Sequence, residues 1–60
     1  MTALTKAGRK IARLRADLAA AMAEAREIAL TALQGGETEV DVARELGVDR
    51  MTVRKWRGKR

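Results

Sequence analysis

The sequence predicts an all-α protein, with one long N-terminal helix followed by two short helices joined by a tight turn. Three observations lead there. The chain has no proline, and its apolar residues recur in steps of three and four, the helical period, not the alternate positions of a strand. Its only paired glycines, Gly35-Gly36, separate an alanine-rich half from a more mixed one. Gly47 then divides that second half in two. Sixty residues make one domain at most. Within it, residues 1–34 read as a long amphipathic helix that dimerises and completes the core, and residues 35–60 as a compact segment with a basic C-terminal tail.

The first helix is expected from about Gly8 or Arg9 to Gln34, because no residue between them breaks it. Gly35 would take the left-handed conformation in which helices commonly end. Leu4, Ala7, Ile11, Leu14, Leu18, Ala21, Ala25, Ile28 and Ala32 follow the a/d spacing of a heptad repeat, the pattern of a helix packed along a partner helix. Alanine inflates such matches, so the larger residues are the better witnesses, and Ile11, Leu14, Leu18 and Ile28 all keep the spacing. The stripe fits two arrangements, a seam against a second copy or a helix folded back on its own domain. Towards Leu33 it widens through Ala25, Ile28, Ala29, Leu30 and Ala32, which calls for burial partners on both flanks. Ile28, Ala29, Leu30, Ala32 and Leu33 are expected to complete the core of the two short helices. That leaves Ile11, Leu14 and Leu18 as the predicted homodimer interface, and a second copy is also the remaining remedy for so small a core in a chain without cysteine or histidine.

The second helix starts after Thr38, a good N-cap, with Asp41 where a capping-box acid would stand. Val42, Ala43 and Leu46 form its apolar face, and Gly47 stops it. Asp49 can cap a third helix at once, with Val53 and Trp56 on its buried side and Val48 plugging the turn. Trp56 is therefore expected in the core and not as an exposed stacking residue. Two short helices with a glycine in the turn between them describe a helix-turn-helix.

The stretch Val42-Ala43-Arg44-Glu45-Leu46-Gly47-Val48-Asp49-Arg50-Met51-Thr52-Val53-Arg54-Lys55-Trp56 resembles the DNA-binding helix-turn-helix of bacterial regulators and of the C-terminal domain of serine recombinases of the resolvase and invertase type. That pattern has a small residue in the first helix, a glycine four residues later, an apolar residue after it, and apolar residues six and nine beyond the glycine. Ala43, Gly47, Val48, Val53 and Trp56 fill these places, and the Thr52-Val53 pair is similar too. Asp49 stands where those families often carry a capping serine. The resemblance covers about a third of the chain and implies a homeodomain-like three-helix fold with a recognition helix at about 49–57 in the major groove of DNA.

The outward residues of that helix would then be Asp49, Arg50, Met51, Arg54 and Lys55. Arg50 and Arg54 lie four apart on one side and suit the bidentate reading of guanine, while Met51 suits a thymine methyl group. Thr52 is expected at a phosphate or bonded back to the Asp49 cap. Lys55, Arg57, Lys59 and Arg60 are assigned to phosphates, which fix position without reading sequence.

Charge distribution agrees with such a partner. The net charge is +5. Lys6, Arg9, Lys10, Arg13 and Arg15 face only Asp17 in the first third, and Arg50, Arg54, Lys55, Arg57, Lys59 and Arg60 face only Asp49 at the C-terminal end. The middle carries the acids Glu24, Glu27, Glu37, Glu39, Asp41 and Glu45. The last four of these are expected to be solvated and turned away from DNA.

Several classes are excluded. Without cysteine, histidine, serine or tyrosine the chain lacks most nucleophiles, general bases and zinc ligands, so no catalysis, metal or cofactor is expected. No small-molecule ligand is evident. The longest stretch without a charge, Ile28 to Gly36, is far too short to span a bilayer, as is Leu18 to Ala23, and nothing resembles a signal peptide. The expectation is a cytoplasmic, nucleoid-associated homodimer that binds double-stranded DNA as a small bacterial or phage transcriptional regulator. The alternatives are an accessory DNA-binding factor for recombination or segregation, and a helical protein-interaction module.

Overall fold

The computed structural model describes residues 2–58. It is all-α: α1 spans Ala3–Gln34, α2 Glu39–Leu46 and α3 Arg50–Trp56. Lys59 and Arg60, both assigned to phosphates above, lie outside the described residues.

α1 begins earlier than Gly8. Thr2 is its N-cap, accepting a hydrogen bond from the Thr5 backbone N–H at 3.1 Å, and the helix passes through Gly8 without interruption. A glycine inside a helix costs about 1 kcal/mol relative to alanine, which a capped helix of strong formers on both sides tolerates. The result is a rod about 48 Å long at 1.5 Å per residue, and it sets the long axis of the molecule, 51 × 19 × 18 Å.

The end of α1 also differs by one residue from expectation. Gly35 keeps a right-handed conformation, and Gly36 takes the positive φ of 103°. The Glu37 N–H then reaches the Ala32 carbonyl at 3.1 Å and the Gly36 N–H the Leu33 carbonyl at 3.1 Å, a Schellman closure that satisfies carbonyls the helix leaves open. With two glycines in a row, spacing alone does not say which one turns.

α2 starts at the Thr38 cap, whose hydroxyl accepts from the Asp41 N–H at 3.1 Å. The Asp41 carboxylate does not complete a capping box and pairs with Arg44 instead. Gly47 ends the helix at φ 72°, and the Val48 N–H donates to the Ala43 carbonyl at 3.0 Å. That bond pulls Val48 back over the end of α2 and aims the chain into α3.

Asp49 occupies the N-cap of α3, but its side chain makes no capping bond. Backbone alone closes this start, through Thr52 N–H to the Asp49 carbonyl at 3.0 Å. α3 is thus held less by its own cap than by its packing.

The core is small. Ala29, Val42, Ala43 and Val53 are fully buried, one set from each helix, and Ala32, Leu33, Leu46, Val48 and Trp56 pack around them. Val53 has no exposed surface at all, and burying such a side chain contributes about 1.5 to 3 kcal/mol. Ala43 is buried where a larger side chain would push α2 from its neighbours. Ile28 and Leu30 do not join this core as expected: Ile28 is 58% exposed, and Leu30 is half-buried outside the cluster.

Candidate nucleic-acid interface

α3 turns Val53 and Trp56 towards α1 and α2, so the rest of its circumference faces outward. Arg50, Met51 and Lys55 are exposed, and Thr52 and Arg54 are half-buried at the flanks. Arg57 follows as the C-cap residue, exposed, with its N–H on the Val53 carbonyl at 3.1 Å. A basic ridge therefore runs from Arg50 to Arg57, with Met51 as its one large apolar member at 57% exposure.

Beneath this ridge lies a carboxylate whose position differs from the expected one. Glu39 is not solvated and turned away. Its side chain is only 12% exposed, and it accepts a hydrogen bond from Arg57 Nη1 at 2.8 Å while Arg54 Nε stands 3.8 Å from its other oxygen. Glu39 is the first residue of α2, where negative charge meets the positive end of the helix dipole. The sequence did carry a signal. Glu39, Val42, Ala43 and Leu46 follow the spacing of a single helical face, so Glu39 continues the inward stripe of α2.

The consequence for the arginines is positional. An arginine has five N–H donors in a planar fork. Glu39 approaches Arg54 only at Nε and engages Arg57 at one Nη, so both keep donors facing outward. The carboxylate limits their rotation without covering them. Arg50 borders the same shallow hollow, with Glu37, Thr38, Glu39, Val40 and Arg57 around it. Arg50, Arg54 and Arg57 thus cluster on one flank of α3, while Met51 and Lys55 occupy its outermost side.

Glu37 and Glu45 are exposed, as expected of the acidic middle, and Asp41 is tied to Arg44. No buried polar side-chain atom lacks a hydrogen-bond partner among the described residues. Nor do the described acids gather into a group able to hold a metal ion. No described helix is long and apolar enough to cross a membrane.

Along α1 the predicted interface residues line up on one exposed stripe, with Ile11 at 51%, Leu14 at 57% and Leu18 at 61% exposure. Leu4 and Ile28 lie on the same stripe and are exposed as well. No part of α2 or α3 reaches Ile11 to Leu18, which begin about 16 Å along the helix from Ala29.

Comparison with protein-family models, with curated proteins and with solved structures finds no match for this chain.

Proposed function

We propose that this chain binds duplex DNA sequence-specifically, with α3 in the major groove, and serves as a small transcriptional regulator. The observation that carries the reading is the division of α3 itself. Val53 and Trp56 anchor one side in the core, and the other presents Arg50, Met51, Arg54 and Lys55 on a rigid helix. Groove reading needs side chains held at fixed spacing against the base edges, and a helix anchored in this way supplies it. Arg50 and Arg54 are the proposed base readers and Met51 the contact for a thymine methyl. Thr52, Lys55 and Arg57 take phosphates. Lys59 and Arg60, by charge alone, add to that electrostatic footing.

The active unit in this reading is a homodimer formed along α1 through Ile11, Leu14 and Leu18. Large apolar side chains in a continuous stripe cost little to bring together and, left in water, mark an association surface. A two-fold dimer presents two recognition helices to a palindromic site.

Selection of bound sequences from a random pool of duplex DNA tests the reading. The expected result is enrichment of paired, inverted half-sites containing G·C pairs. Recovery of an unenriched pool would remove sequence-specific regulation as the function. Enrichment of single half-sites would keep α3 as the reader and remove the dimer.

A further inference from the structure

We infer that two copies pair antiparallel along α1, in the register that sets Leu14 against Leu18 of the second copy. This rests on the proposed dimer and fixes its geometry.

Five large apolar side chains of α1 are left exposed by the fold: Leu4, Ile11, Leu14, Leu18 and Ile28. In the heptad frame Leu4, Ile11, Leu18 and Ala25 occupy a positions, and Ala7, Leu14, Ala21 and Ile28 occupy d positions. An antiparallel pair faces each a with a d of the other copy. In this register the layers are Leu4 with Ile28, Ala7 with Ala25, Ile11 with Ala21, and Leu14 with Leu18, each occurring twice by symmetry. Every exposed large residue is covered. Sliding by one heptad leaves either Leu4 or Ile28 without an opposite, so coverage selects one antiparallel register.

Charge selects the direction. Lys10, Asp17 and Glu24 flank the seam at g positions, and Arg15 flanks it at e. A parallel pair sets each Lys10 beside Arg15 of the other copy, two repulsions with no opposite-charge pair to offset them. The antiparallel pair sets each Lys10 beside Glu24 of the other copy. Its like-charge contacts, Arg15 with itself and Asp17 with itself, fall near the dyad and occur once each. Over the whole helix it also lays the basic segment Lys6 to Arg15 across the end bearing Glu24 and Glu27.

The structure has a seat for the end of the second helix. Glu27, Ile28, Thr31 and Ala32 line an open, mainly apolar hollow on α1. A neighbouring recess runs from Ile28 and Ala32 to Glu37, Val42, Glu45 and Leu46. Leu4 of the second copy arrives at this apolar floor, and the basic segment that follows it approaches an end of the rod that carries Glu27, Glu37 and Glu45. A parallel pair brings no basic segment there.

The geometry bears on the DNA. With its dyad at residue 16, the pair carries its two Ala29 positions about 39 Å apart. That is near the spacing of one turn of duplex, about 34 to 36 Å between half-sites. Ala29 falls at an e position, so both α2–α3 units lie on the same side of the pair.

The native chain has no cysteine, so disulfide trapping reads the arrangement directly. Ala7→Cys and Ala25→Cys chains are mixed in equal amounts, oxidised, and mapped by mass spectrometry of the cross-linked peptides. The expected product joins residue 7 of one chain to residue 25 of the other. Disulfides joining 7 to 7 and 25 to 25 would show a parallel pair and overturn the inference. A dimer by sedimentation that gives neither product would overturn this register. A monomer of the unmodified protein at tens of micromolar would remove the underlying dimer as well. The sign of a charge reversal gives a second readout: Lys10→Glu weakens the antiparallel pair roughly tenfold and Lys10→Glu with Glu24→Lys restores it. A tighter dimer of Lys10→Glu alone would indicate the parallel arrangement.

Discussion

Glu39 carries more consequence than any other single side chain near α3. It stands between the positive end of α2 and two arginines of the proposed reading surface, and it is the only acid there that is largely shielded from water. Removing its charge should have two opposite effects. Glu39→Gln frees Arg54 and Arg57 to rotate, which blurs base reading, and it deletes a negative charge close to the DNA, which strengthens binding to any sequence. The expected outcome is higher affinity for random duplex with a smaller gap between selected and random sites, measured by competition titration. Equal changes at both would place Glu39 outside the reading machinery. Arg50→Ala and Arg54→Ala should each cost about 1 to 3 kcal/mol on the selected site and relax preference at one or two base pairs. Lys59→Ala, at a residue assigned only to phosphate, should weaken all sequences alike. Uniform losses for both arginine variants across a site library would contradict their role as base readers. Gly47 acts on stability instead: at φ 72° any other residue is strained, and Gly47→Ala should cost about 1 kcal/mol in thermal unfolding.

At the scale of elements, α3 is a helix of seven residues without a side-chain cap, so it persists only while Val53 and Trp56 hold it. Val53→Ala should destabilise the domain by about 2 kcal/mol and unfold α3 together with α2, seen as one thermal transition by circular dichroism. Loss of α3 alone, with α2 intact, would show that the two helices do not share one core. The three helices, the Thr38 cap, the stop at Gly47 and the inward places of Ala43, Val53 and Trp56 were legible because each has a local cause in residue type or period. What was not legible depended on several weak effects or on distant partners. The start of α1 was obscured because Gly8 reads as a breaker while the Thr2 cap lies six residues before it. Asp49 resembles a cap by type, yet its bond depends on a rotamer that sequence does not fix. Ile28 was assigned to the domain because its stripe widens there, but which flank meets α2 depends on the crossing of the helices. Glu39 belongs to the inward stripe of α2 by spacing, and only the fold brings Arg54 and Arg57 to it.

The whole molecule is a compact three-helix unit on the end of a long rod, and the rod projects far beyond anything its own chain can cover. That shape is the physical basis for the proposed dimer. Leu14→Glu with Leu18→Glu should give a folded monomer, since neither residue touches the core, and it should lose cooperative binding to paired half-sites while retaining weak binding to one. An unchanged dimer in sedimentation equilibrium would move the interface away from this stripe. DNA binding itself is tested most directly by the salt dependence of the full chain on a selected duplex, followed by fluorescence anisotropy from low to physiological ionic strength. Each phosphate neutralised releases condensed counterions, with a slope of about −0.9 in log affinity against log salt. Engagement of phosphates by Lys55, Arg57, Lys59 and Arg60 predicts a linear fall with a slope of about −3 to −4 per subunit. Affinity that stays constant over that range would contradict DNA as the partner of α3.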